Sequence, residues 1–120
     1  MKAICYHNPR CGKSRQTLQL LQDHDIDVEV IEYLKTPPTA EVLDQLLVML
    51  DMQPHELMRK NEALYKELYL SHSELDRNTL IKTMIDHPIL IERPIVVIGD
   101  NATIGRPPEA VLLLLLQLIL

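Results

Sequence analysis

The strongest constraint on the fold lies at the start of the chain, where the pattern of apolar side chains changes period across a single loop. Ala3, Ile4, Cys5 and Tyr6 form a short apolar run that ends in the polar His7-Asn8-Pro9. A run of that length closed by a turn signal reads as a buried strand. Beyond Pro9, the segment from Cys11 to His24 carries Leu18, Leu20 and Leu21 among good helix formers, and Asp25-Ile26-Asp27 closes it. A strand that feeds directly into a helix opens an alternating α/β chain.

The remaining segments extend this alternation. Val28, Val30 and Ile31 with Tyr33 give a second strand, and Thr36-Pro37-Pro38-Thr39 is a turn whose Thr39 caps a helix over Ala40–Leu50. Residues 54–70 are helical in pattern but broken, with Pro54 in a first turn. Ser73 is the expected cap of a further helix carrying Leu75, Leu80, Ile81, Met84 and Ile85, which His87-Pro88 stops. Pro94-Ile95-Val96-Val97-Ile98 is the strongest strand, and Pro94, lacking an amide hydrogen, belongs at its first residue or on an edge. Gly99-Asp100-Asn101 reads as a hairpin turn into a short strand near Thr103-Ile104, and Pro107-Pro108 starts a last helix. The order βα βα α α ββ α specifies a mixed sheet flanked by helices, of the α/β class. At 120 residues the expectation is a single domain over 1–120, with a helical insertion at about 39–87.

Charge and composition exclude several functions. The formal net charge is −5 and basic residues never cluster into a long run, which argues against a nucleic-acid partner. Val111–Leu120 includes five consecutive leucines, Leu112–Leu116, but a bilayer span needs about 20 apolar residues, so no membrane role is expected. A helix apolar all round is a buried terminal helix or a dimer contact, and the buried reading is preferred. Two cysteines, Cys5 and Cys11, are too few for a secreted disulfide framework, and Met1-Lys2-Ala3-Ile4 opens a strand rather than a leader, so a cytoplasmic location is expected. His24, His55, His72 and His87 stand at no metal-ligand spacing, and no metal site is expected.

The chemistry concentrates in the first loop. Cys11 follows a strand and opens a helix, where unpaired amides and the positive end of the helix dipole stabilise a thiolate and gather an anion. Gly12 allows close backbone approach, Ser14 offers a hydroxyl to the thiolate or to a bound oxyanion, and Arg10 and Arg15 add charge. His7 supplies an imidazole that helps keep the thiol ionised. Cys5, inside an apolar strand, reads as core. With Ser at position 14 there is no Cys-x-x-Cys pair, so turnover through a disulfide requires an outside thiol.

His7 through Arg15 resembles the His-x-x-Cys-Gly-x-Ser-Arg loop of the glutaredoxin-coupled arsenate reductases. The likeness continues through Leu57-Met58-Arg59-Lys60-Asn61, His87 to Val97, and Ile104-Gly105-Arg106-Pro107-Pro108-Glu109, and so spans essentially the whole chain. Taken alone, Arg59, Arg93 and Arg106 read as solvated surface residues. The resemblance implies that they hold arsenate as planar forks around a tetrahedral oxyanion. It further implies a thioredoxin-like fold and a cis Arg93–Pro94 bond facing Cys11. The implied reaction begins with attack of the Cys11 thiolate on arsenate. Glutathione follows as co-substrate, with no tightly bound cofactor, and glutaredoxin is the partner that resolves the mixed disulfide. Lys13 and Gln16 stand where the commoner family loop has Thr and Asn, which marks a divergent branch. Two alternatives use the same fold. One is a general glutathione-linked thiol-disulfide oxidoreductase acting through Cys11. The other is a non-enzymatic regulator that contacts RNA polymerase, a class that typically carries the Cys-x-x-Cys switch missing here.

Overall fold

The structure, a computed structural model, describes residues 2–71 and 74–119. The chain divides into two compact units. One is formed by the segment up to Thr36 together with the segment from Arg93 onward, and the other by Pro37–Glu92.

The first unit is built on a four-stranded mixed sheet with strand order β2-β1-β3-β4. Strand β1 (Lys2–His7) leads through α1 (Gly12–Asp23) to β2 (Asp27–Glu32), which pairs parallel to β1 from Lys2↔Asp27 to His7↔Glu32. A parallel pair needs a crossover of this length, since a tight hairpin only joins antiparallel strands. On the other side of β1 lies β3 (Ile95–Ile98), antiparallel, with Cys5 opposite Val96 and Tyr6 opposite Ile95. The two-residue turn Gly99-Asp100 then returns the chain into β4 (Asn101–Ile104), which begins two residues before the Thr103-Ile104 strand of the sequence pattern. Gly99 takes a φ of 61°, the left-handed conformation that tight hairpin turns require.

One face of this sheet carries the core. Ala3 and Cys5 of β1 and Val96 and Ile98 of β3 are buried with Leu21 of α1 and with Val111, Leu114 and Leu115 of α6 (Ala110–Ile119). Each large apolar side chain of this set contributes about 2 kcal/mol by leaving water. The sequence expectation for α6 needs two corrections. The helix starts at Ala110 and not at Pro107, because the amides of Ala110, Val111 and Leu112 bond back three residues, to Pro107, Pro108 and Glu109, in a tight turn that precedes it. Nor is it buried all round: Leu113 is 63% and Leu116 51% exposed, because a helix against one sheet face covers only its inward stripe. Among the described residues no helix is long and apolar enough to cross a membrane.

The second unit is helical. Thr39 caps α2 (Ala40–Leu50) by accepting from the Val42 amide at 3.2 Å, as its position predicts. The broken stretch 54–70 resolves into two short helices, α3 (Pro54–Leu57) and α4 (Ala63–Glu67). Helix α5 (Arg77–Asp86) begins later than expected: Asp76 caps it, accepting from the Thr79 amide at 2.7 Å, and Ser73 lies outside the described residues. His87 ends α5, and Pro88–Leu90 forms a single 3-10 turn. Leu43, Leu46 and Leu47 of α2, Leu57 of α3, and Leu80, Ile81 and Met84 of α5 are buried here. Two backbone hydrogen bonds, Arg59 N–H to Leu90 O and Glu92 N–H to Leu57 O, both 2.8 Å, flank a bridge between Met58 and Ile91 and fix the backbone that carries Arg59.

Candidate active site

Cys11 is the N-cap residue of α1, with extended backbone (φ −96°, ψ 121°). Its own amide donates to Asn8 O at 3.0 Å, which closes the turn between β1 and α1. The sulfur makes no well-aligned capping hydrogen bond, but the helix-opening amides of Lys13 and Ser14 are aimed toward it. Burial by itself pushes the Cys11 pKa up. The Ser14 amide, the charge of Arg93, the Lys13 amide and the Arg106 guanidinium together outweigh it, so the thiol ionises below its ordinary range. Arg106 Nη1 lies 3.8 Å from the sulfur and also donates to Arg93 O at 3.4 Å. Cys5 is the opposite case, since burial alone pushes its pKa up to about 12 and leaves it an inert core residue.

The loop around the nucleophile is latched from several sides. A 2.6 Å hydrogen bond joins His7 Nδ1 and Ser14 Oγ, and the same oxygen accepts from the Asn8 amide at 3.0 Å. Asn8 Oδ1 in turn accepts from the Arg10 amide at 3.0 Å, and Arg15 Nη1 donates to Pro9 O at 2.8 Å. Two sequence readings change as a result. The Ser14 hydroxyl is committed to His7 and the loop, so its contribution at the sulfur comes from its backbone amide. His7 is held toward the neutral form, chiefly by burial and further by Arg15, against the opposing pull of Glu32. It therefore orders the loop through Ser14, and its cationic form is disfavoured.

Arg93 and Arg106 each precede a cis proline, Pro94 and Pro107. The resemblance to a known family implied the first cis bond and not the second. The strands bring these two loops to Cys11 through one junction: Gly105 N–H donates to Pro94 O at 3.0 Å, and Thr17 Oγ1 of α1 donates to Gly105 O at 3.4 Å. Gly12 is exposed, and a Cβ there would meet only Arg15 Nη2 at an ordinary 3.7 Å, so no protein atom demands its glycine. Its open approach is available to a ligand.

A sequence model of the ArsC family matches residues 6–114. The chain belongs to the ArsC family. The family match takes in every element of the site just described. A protein of Escherichia coli strain K12 named "Uncharacterized protein YfgD" is 55% identical over 108 residues, which cover 89% of this chain and 91% of that protein. An arsenate reductase of Neisseria meningitidis is 44% identical over 105 residues, 87% of this chain and 90% of that enzyme. Among solved structures, an arsenate reductase from Vibrio cholerae superposes with a TM-score of 0.91 at 49% identity and covers 93% of this chain and 96% of its own. The fold is thioredoxin-like α/β, as the resemblance of the sequence implied.

Of the residues singled out from the sequence, Cys11, His7, Ser14, Gly12, Arg93 and Arg106 all fall in the sheet-based unit, and the first three with the two arginines form the cluster above. Arg59 belongs to the helical unit. There its Nη2 pairs with Glu62 Oε1 at 2.8 Å and its Nη1 donates to Ile89 O at 3.3 Å, so the fork is oriented by two partners. Sequence reasoning passed over Glu62, which meets Arg59 across the non-helical turn that the Glu62 N–H to Arg59 O bond closes at 3.2 Å, a pairing that no helix or strand periodicity announces. Thr17 and Gly105 were missed for a different reason. They stand 88 residues apart, and no local pattern announces their contact.

Proposed function

We propose that this protein is an arsenate reductase that reduces arsenate to arsenite through a Cys11 adduct, with glutathione as co-substrate and glutaredoxin as partner. The observation that carries this reading is a low-pKa sulfur at a helix start with Arg106 3.8 Å away and Arg93 acting on its charge. A thiolate beside planar cationic forks suits attack on a tetrahedral oxyanion better than attack on an uncharged disulfide. The arsenate reductases at 42–44% identity support the same substrate.

In this mechanism the Cys11 thiolate bonds to arsenic and an arsenate oxygen leaves as water after taking up protons. Arg93, Arg106 and Arg59 hold the remaining oxygens, Gly12 leaves room for the oxyanion, and His7 with Ser14 keeps the loop in register. Glutathione attacks the adduct, arsenic gains the two electrons that the two thiols lose, and arsenite departs. Glutaredoxin then reduces the mixed disulfide on Cys11. Ser14 stands where a second thiol would otherwise close an internal disulfide, which fits the need for an outside donor. A reducing, cytoplasmic setting follows from that donor pair.

The test is a coupled assay of arsenate turnover with glutathione and glutaredoxin, comparing the native protein with Cys11→Ser and Arg59→Ala. Loss of turnover in the first and a strong rise in KM for arsenate in the second are expected. Undiminished arsenate turnover in Arg59→Ala, alongside faster reduction of mixed disulfides, would transfer the assignment to a general thiol-disulfide oxidoreductase.

A further inference from the structure

A cavity of about 310 Å³ opens beside the nucleophile loop, and nothing in the mechanism above uses it. Its floor is formed where the two parallel strands end: His7 and Glu32, paired in register as the last residues of β1 and β2, both line it. One wall is the loop Asn8-Pro9-Arg10, which delivers Cys11, and the other is Leu34 and Lys35 beyond β2.

The charges of this groove are specific. It holds two cations, Arg10 and Lys35, and one carboxylate, Glu32, with Leu34 39% exposed between them. The Lys35–Glu32 pair is loose, 3.5 Å with the lysine side chain 80% exposed, so a ligand displaces it at little loss. The setting is also unusual for an acidic protein: from Lys2 to Gln22 the chain has no Asp or Glu at all.

We propose that this groove is the binding site of the thiol co-substrate, a small peptide thiol with two carboxylates and one ammonium, the charge pattern of glutathione. Arg10 and Lys35 each take a carboxylate, Glu32 takes the ammonium, and Leu34 with Pro9 covers the peptide stem. A tripeptide spans about 10 Å, so its thiol, on the central residue, lies between the two anchored ends, beside the Asn8-Pro9-Arg10 wall that leads directly into Cys11. The groove rests on the reading that an outside thiol acts at Cys11, and it adds where that thiol is recognised. Arg10 and Lys35 are thereby specificity residues for the donor and leave the oxyanion to Arg59, Arg93 and Arg106.

The experiment uses the full chain and S-methylglutathione, which binds but does not react. In amide-resolved NMR, titration is expected to shift Asn8, Arg10, Glu32, Leu34 and Lys35, and the double variant Arg10→Gln/Lys35→Gln is expected to weaken binding about tenfold, two surface charge contacts being lost. In the coupled assay the same variant raises KM for glutathione by a similar factor, with KM for arsenate unchanged and full rates retained when dithiothreitol replaces glutathione. Shifts that map onto the groove in a protein that turns over no arsenate would keep the site and remove the arsenate reading. The proposal is overturned if the titration leaves the groove unshifted, or if the double variant keeps its affinity for S-methylglutathione. It is overturned equally if the variant keeps its KM for glutathione and loses only its response to glutaredoxin, which would make the patch a protein-docking surface.

Discussion

Gly105→Ala tests the junction that brings Arg106 to Cys11. Gly105 is buried, its amide is bonded to Pro94 O, and its carbonyl accepts from Thr17. A Cβ built there would overlap Thr17 Oγ1 and lie 2.9 Å from both Thr17 Cγ2 and Pro94 Cγ, whereas carbon atoms rest at about 3.5–4.0 Å. Neither neighbour is a flexible end, since Thr17 is branched at Cβ and buried on α1 and Pro94 is a ring. Overpacking of this kind costs about 1–3 kcal/mol, and three simultaneous overlaps put this site at the upper end. Alanine returns about 0.4–1 kcal/mol by restricting the unfolded chain, which leaves a net loss of about 2 kcal/mol. Urea unfolding of the native protein, Gly105→Ala, Thr17→Ala and the double variant measures it. Because Thr17→Ala removes two of the three overlaps, the double variant is expected to recover about 1 kcal/mol or more relative to additivity. A Gly105→Ala protein within about 0.5 kcal/mol of native, or strict additivity in the cycle, would refute the steric argument.

Three further outcomes follow from the same geometry. Arg106→Ala removes one of the groups that lower the Cys11 pKa, so alkylation by iodoacetamide slows at pH 6, while native and variant rates converge at high pH where both thiols are ionised; equal rates at pH 6 would refute this role. Ser14→Ala leaves the Asn8 amide and His7 Nδ1 without their shared partner and is expected to cost about 1–3 kcal/mol in urea unfolding, an unchanged midpoint being the contrary result. The Asp76 carboxyl is held below its ordinary range, chiefly by the Thr79 amide, so its stabilising effect is complete above the unfolded-state pKa and is lost as pH falls through the folded one. Asp76→Asn keeps the cap without the titration, so its stability is expected to fall less steeply on acidification than that of the native protein, with parallel pH curves as the refuting result.

How much of this was legible in the sequence depends on how far apart the interacting residues stand. Local signals read well. The strand-to-helix opening, the Thr39 cap, the core position of Cys5 and the helix-start position of Cys11 each depend on neighbours within a few residues, and the structure places all of them as expected. Where a boundary turned on competing local signals, the sequence favoured the wrong residue. Pro107-Pro108 is compatible with a first helical turn but here occupies the tight turn before it.

The sequence by itself determined the α/β alternation and the helix-start position of Cys11, because strand and helix periodicity are written locally, whereas the arginines, which alone read as surface residues, were picked out only by the resemblance to a family. Only the tertiary structure decided what those residues do to one another. The pairing of β1 with β3 sets Cys5 beside Val96 across some ninety residues of chain, and the Gly105 junction then brings Arg93 and Arg106 to the sulfur. Burial at the end of β1 biases His7 toward its neutral form and sets it against the Ser14 hydroxyl, while backbone amides and arginines favour the Cys11 thiolate. Desolvation and long-range charge depend on the folded surroundings of a group, and no stretch of sequence carries them.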